Sequence, residues 1–112
     1  MVTFAMARDF ALTLPETQEG TSYGTPALKV RGTLLARLRE EGDVLVVKVD
    51  MDYRELLLET NPATYFITPH YVRYPAVLVR LALVDEEELR ALLTDAWRIV
   101  APKRLVAAFD AR

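Results

Sequence analysis

Apolar residues recur at helical spacing from the start of the chain. Phe4, Ala7, Ala11 and Leu14 fall on one face, Thr3 is available as an N-cap and Pro15 stops the run, so the pattern predicts a first helix over 4–14. Residues 15–26 read as a turn-rich connection. Ala27–Arg31 and Thr33–Arg39 are strand-like runs parted by Gly32, and Val44–Val49 is a third, reached through Glu40-Glu41-Gly42-Asp43. These three predict an antiparallel meander.

Asp52-Tyr53-Arg54-Glu55 has capping-box spacing, the Asp accepting from first-turn amides and the Glu reaching back, and it opens a short helix that ends before Asn61-Pro62. Tyr65–Ile67 and Ala76–Leu83 supply two more strands. Asp85-Glu86-Glu87-Glu88 repeats the box and sets negative charge at the positive end of a helix. Leu89, Leu92, Leu93, Ala96 and Val100 then form a core stripe, and Pro102 starts a last helical turn or two carrying Leu105, Val106 and Phe109. The predicted order is α-β-β-β-α-β-β-α-α. That order is an α+β fold in two layers, a five-stranded antiparallel sheet with helices packed on one face. At 112 residues it is read as one domain over 1–112.

Composition narrows the chemistry. The chain has no cysteine, which excludes thiolate catalysis, Cys-based zinc sites and iron–sulfur clusters. The basic residues are 11 Arg and 3 Lys, with one Asn, one Gln and one Ser. Hot adaptation and a GC-rich coding bias explain that profile about equally well. No apolar run exceeds five residues and no leader pattern opens the chain, so the expectation is a cytoplasmic protein with no membrane partner.

Three motifs invite an enzymatic reading, and each has a plainer one. Gly20-Thr21-Ser22-Tyr23-Gly24 matches G-x-S-x-G, but it follows a helix and leads through Pro26 into a strand, where a glycine-assisted turn accounts for it better than a nucleophile elbow. His70 is the only histidine, so no two-His metal site can form within one chain, and a structural imidazole accounts for it better than a lone general base working with Lys48 or Tyr71. Asp50, Asp52 and the 85–88 run are explained by capping before metal binding. No glycine precedes a Lys-Ser/Thr pair, so nucleotide hydrolysis is not expected. The reading is a non-enzymatic protein with no catalytic residue, metal or cofactor.

Charge becomes informative once it is assigned to positions. The formal net charge of −2 argues against a protein coated with positive charge, yet residues 41–70 hold six acids against two bases while 1–40 and 71–112 are each positive by one. Alternation is expected to turn Leu28 and Val30, Leu34, Ala36 and Leu38, Leu45, Val47 and Val49, and Val77, Val79, Leu81 and Leu83 toward the helices. The other parity then receives Lys29, Arg31, Arg37, Arg39, Lys48 and Arg80 and no acid, beside His70-Tyr71-Val72-Arg73-Tyr74, where a cation is interleaved with rings that stack on bases. Leu35, Val44, Val46 and Leu78 share that parity, which points instead to a surface that holds a protein partner or a second copy.

The chain resembles the MmcQ/YjbR family nearly end to end. The likeness rests on Leu14-Pro15 closing the first helix, Tyr23-Gly24-Thr25-Pro26-Ala27-Leu28-Lys29-Val30, Lys48, Thr68-Pro69-His70-Tyr71 leading into Tyr74-Pro75-Ala76-Val77-Leu78-Val79, and Trp97 followed by Ala101-Pro102-Lys103-Arg104-Leu105. Where family members often have His-Trp, this sequence has His70-Tyr71. The resemblance implies a two-layer α-β-β-β-α-β-β-α fold similar to type III secretion chaperones, and DNA binding as the family's usual label. The expected function is therefore DNA binding through Lys29, Arg31, Arg37, Arg39, Lys48 and Arg80, with His70, Tyr71 and Arg73 at the rim. The alternative is a dimeric, chaperone-like interaction module without nucleic acid.

Overall fold

The computed structural model describes residues 1–112. Its elements are α1 (Phe4–Ala11), β1 (Thr17–Ser22), β2 (Thr25–Val30), β3 (Thr33–Leu38), β4 (Val44–Lys48), α2 (Met51–Thr60), β5 (Tyr65–Phe66), β6 (Ala76–Arg80), α3 (Glu86–Val100) and α4 (Lys103–Asp110). A single 3₁₀ turn, Pro69–Tyr71, lies between β5 and β6. All neighbouring strands are antiparallel, in the order β1-β2-β3-β4-β6-β5.

The α+β class and the antiparallel sheet agree with the sequence pattern, but the sheet has six strands rather than five, and the second helix follows four strands rather than three. The added strand is β1, inside the segment expected to be a turn-rich connection. Its sequence, TQEGTS, carries no apolar alternation because only Thr17 is buried and the strand serves as the sheet's edge. It pairs with β2 over its whole length, from Thr17 opposite Val30 to Ser22 opposite Thr25.

Tyr23-Gly24 and Arg31-Gly32 join β1, β2 and β3. All four residues have positive φ (53°, 78°, 50° and 84°), the pattern of type I′ hairpin turns, whose twist matches that of the flanking strands. Thr25 closes the first turn by donating its hydroxyl to the Ser22 carbonyl at 2.9 Å.

A bulge corrects the expected parity of β3. Leu28 pairs with Ala36 but Lys29 with Leu34, so Leu35 is the extra residue. Leu35 and Ala36 both enter the core on the helix side, and Leu34, expected there, turns to the opposite face beside Val46. Leu83 is also displaced from its expected place. β6 stops at Arg80, the Leu83 amide donates to the Arg80 carbonyl at 3.1 Å, and the side chain is exposed.

One main core fills the space between the sheet and α1, α3 and α4, and α2, which lies beside β5 and β6, adds Leu57 to it. Trp97 is fully buried there. Its indole N–H donates to the Pro15 carbonyl at 2.9 Å and its ring packs on Phe109 at 4.9 Å, tying α3 to both the end of the α1 segment and to α4. Thr3 and Asp85 cap α1 and α3 as their spacing predicts. The cap of α2 is Asp50, which accepts from the amides of Asp52 and Tyr53, rather than Asp52. Glu88, expected to reach back in the second capping box, instead accepts from the Tyr65 hydroxyl.

Candidate functional site

The sheet face turned away from the main core is not a bare basic surface. Val44, Val46, Ala76 and Leu78 form a second apolar cluster with Tyr71, and Phe66, Ile67 and Tyr74 pack against it. The chain after β5 folds back over this face as a roof. Arg54 on α2 holds the roof in place. Its side chain is buried, and its two terminal nitrogens donate to the carbonyls of Tyr71 at 2.8 Å, Val72 at 2.9 Å, Tyr74 at 2.9 Å and Ala76 at 3.2 Å. A fork of planar donors satisfies irregular backbone that has no strand partner.

The predicted cations are distributed rather than pooled. Lys29 lies over Gly20, its aliphatic stem against the neighbouring strand. Arg31 sits at the tip of the β2–β3 turn and pairs with Glu16 at 2.6 Å. Lys48 donates to the Tyr74 hydroxyl at 2.9 Å, and Arg80 lies 4.0 Å over the Phe66 ring and donates to the Ala63 carbonyl. Arg73 is exposed on the roof. These cations therefore do not form one contiguous basic face: Lys48 and Arg80 engage aromatic rings around an apolar centre, while Lys29 and Arg31 are held against the β1 side of the sheet.

Four of the predicted residues do come together. Arg37, Arg39, His70 and Tyr71 line one concavity of about 310 Å³ with Tyr23, Glu40 and Thr68. A second concavity of about 270 Å³ shares Tyr23, Arg37, His70 and Tyr71 with it and runs on past Leu34 and Val46 to Tyr74. Together they form a groove between the β1–β2 hairpin tip and the roof. Tyr23 is 82% exposed on one wall, with the Arg37 guanidinium 5.2 Å from its ring centre. His70 is exposed on the other wall and meets Tyr71 edge-on at 4.9 Å.

Arg37 is the buried charge of this groove. Its contacts are all long: Thr25 Oγ1 at 3.2 Å, and the Leu38 carbonyl, Glu40 Oε1 and the Tyr71 hydroxyl each at 3.4 Å. Burial works against its charge, but the Tyr71 hydroxyl and Glu40 more than offset this and hold its pKa above the ordinary arginine value. The Glu40 carboxyl lies below its usual range, chiefly through its own backbone hydrogen bond and then through Arg37. Arg39 pairs with the half-exposed Glu41 at 3.3 Å.

Two contributors were not among the sequence candidates. In the sequence Tyr23 stands out only as part of a turn and of the segment that carries the family resemblance, and an aromatic residue in the left-handed region, where Asn or Gly is usual, is the signal that marks it. Arg54 carries no such signal, since it sits in a polar helical stretch. No group of three or more His, Asp or Glu side chains is arranged to hold a metal ion, and no helix is long and apolar enough to cross a membrane.

The YjbR family model matches residues 12–99. The uncharacterized protein Rv2570 of Mycobacterium tuberculosis and the uncharacterized protein Mb2600 of Mycobacterium bovis are each 48% identical over 69 residues, covering 61% of this chain. The matched segment spans 54% of the length of each, about half. A crystal structure of the Deinococcus radiodurans protein DR2400, described as a DUF419 domain, superposes with a TM-score of 0.79 at 25% identity, covering 93% of this chain and 82% of that one.

Proposed function

We propose that this chain, which belongs to the YjbR family, is a non-enzymatic nucleic-acid-binding protein that takes single-stranded segments in the groove between the β1–β2 hairpin and the roof. The observation that carries this reading is the exposed Tyr23 ring, held in a left-handed turn conformation above Arg37 and across the groove from His70. A base stacks on an exposed ring while neighbouring guanidinium groups take phosphates, and such a platform tolerates any sequence. The reading moves the contact from the whole sheet face to Tyr23, Arg37, Arg39, His70 and Tyr71, with exposed Arg73 at the rim. It also fits a cytoplasmic location.

Fluorescence anisotropy with labelled single-stranded and duplex DNA at low salt tests it. Expected are micromolar binding that prefers the single strand, a steep fall with added salt as counterions are released, and a loss of about tenfold in Tyr23→Ala. Charge reversal at Arg39 is expected to remove most of the binding. If neither DNA form binds at micromolar protein, the reading fails.

One observation favours a second reading, association through the sheet edge. β1 offers six residues without proline, lysine or a bulge, whereas the opposite edge, β5, is only two residues long beside α2. Sedimentation would then show a dimer whose stability does not fall with salt. Of the apolar side chains that motivated partner binding on the sheet face itself, Val44, Val46 and Leu78 are covered by the chain's own roof and Leu35 lies in the main core.

A further inference from the structure

We infer that the Arg37–Arg39 end of the groove is a subsite for a phosphate monoester, the terminal phosphate of a nucleotide or of a nucleic-acid strand. The inference deepens the nucleic-acid reading and rests on it. It starts from a contrast among three arginines. Arg31 grips Glu16 at 2.6 and 3.1 Å, and Arg54 makes four bonds of 2.8–3.2 Å to carbonyls. Arg37, though buried, has nothing closer than 3.2 Å, where close N–H···O bonds to a charged partner run about 2.7–2.9 Å. Its fork is positioned by Thr25 and Tyr71 but not saturated.

The one acid in reach of Arg37 is Glu40, and the contact between them is weak. The Glu40 side chain is 62% exposed and touches Arg37 with a single oxygen at 3.4 Å. A buried guanidinium with a loosely held, solvent-facing carboxylate is a site with a displaceable counter-ion. A phosphate monoester brings nearly two charges and three acceptor oxygens, enough to take the fork from a single carboxylate, where a strand's internal diester brings one charge. Arg39 lines the same cavity and brings a second guanidinium, whose partner, the half-exposed Glu41 at 3.3 Å, is a second displaceable counter-ion. Thr68 lines it too, and although it occupies the N-cap position of the 3₁₀ turn its hydroxyl makes no capping bond. A cavity of about 310 Å³ is at the size of small-ligand sites, with Tyr23 and His70 beside it for the base.

Isothermal titration calorimetry with a short oligothymidylate, with and without a terminal phosphate, and with thymidine monophosphate tests the inference. Expected is about tenfold tighter binding when the terminal phosphate is present. Glu40→Gln is expected to strengthen that binding, and Arg37→Gln or Arg39→Gln to erase the difference between the two oligonucleotides. Monophosphate binding as tightly as the phosphorylated strand would identify a free nucleotide as the source, and tighter binding of the strand would identify a strand end. The inference is overturned if the terminal phosphate changes nothing in the wild type and in Glu40→Gln, a result that leaves single-strand binding itself standing. Conversely, monophosphate binding with no oligonucleotide binding would retain the subsite and remove the nucleic-acid reading.

Discussion

Arg54 donates to the carbonyl of Tyr71 at 2.8 Å, the shortest of four bonds by which one side chain on α2 holds the roof over the second face of the sheet. No carboxylate pairs with this guanidinium; its partners are all backbone oxygens. The fold of the roof and the position of Tyr71 in the groove therefore depend on a residue that lines neither concavity.

Replacing Arg54 with methionine takes the guanidinium donor from the Val72 and Ala76 carbonyls and leaves those of Tyr71 and Tyr74 with only the backbone amides of Tyr74 and Ala76. Stability is expected to fall by about 2–3 kcal/mol in urea unfolding. Arg54→Lys should recover only part of the loss, because an ammonium cannot spread over four oxygens as a planar fork does. Wild-type stability in Arg54→Met would show that the roof is held by its apolar contacts alone.

Tyr23 separates stability from function. Asparagine is at home in the left-handed region that Tyr23 occupies at φ 53°, so Tyr23→Asn is expected to stabilise the protein by about 1 kcal/mol. The same substitution should weaken oligonucleotide binding. Opposite signs in denaturant unfolding and in anisotropy are the expected result, and a destabilised Tyr23→Asn would contradict the assignment of strain to this turn.

Tyr65 sets an alkaline limit. Burial, and then its hydrogen bond to the Glu88 carboxylate, push its phenol well above the usual tyrosine range. A raised folded value means that this contribution is present in full below the unfolded tyrosine value near ~10 and is lost as pH rises beyond it. A late phenolate absorbance step that coincides with unfolding is expected, and it should be absent in Tyr65→Phe.

Glu16 acts at the opposite end of the pH scale. Its hydrogen bond with Arg31 holds its carboxyl below the ordinary glutamate value. A depressed folded value gives stability that is present above the unfolded glutamate value and is lost as pH falls through the folded one. Carboxyl NMR titration should show Glu16 moving up toward the ordinary value in Arg31→Ala. An unchanged titration would mean that the pair is not formed in solution.

The sequence pattern was most informative where side chains enter a core. The α3 stripe follows from periodicity because burial on one side marks every third or fourth residue, the caps Thr3 and Asp85 follow from residue type and spacing, and β4 and β6, buried on both faces, show instead as short continuous apolar runs. β1 left no such mark, being an edge strand held by backbone bonds, and the bulge at Leu35 inverted half of β3 because one inserted residue reverses all parity beyond it. The basic residues of the outer face were legible as a set. Their separation was not, since the roof that divides them is placed by long-range contacts from Arg54 and by aromatic packing, neither of which has a local spacing. Arg37, Arg39, His70 and Tyr71 do converge, but Tyr23 joins them only through the hairpin that the edge strand makes.

The roof also gives the molecule an unequal pair of cores. β4 and β6 are sandwiched between the 23-residue cluster and the 5-residue one, while the hairpin tip and the roof have solvent on their outer sides. In native-state hydrogen exchange the amides of β4 and β6 should open only with global unfolding, and those of residues 67–75 and of β1 at a much smaller free energy. The groove is bounded by those two early-opening segments. A ligand seated between them would slow their exchange first, so that occupancy of the site can be read from backbone protection without any assay of activity.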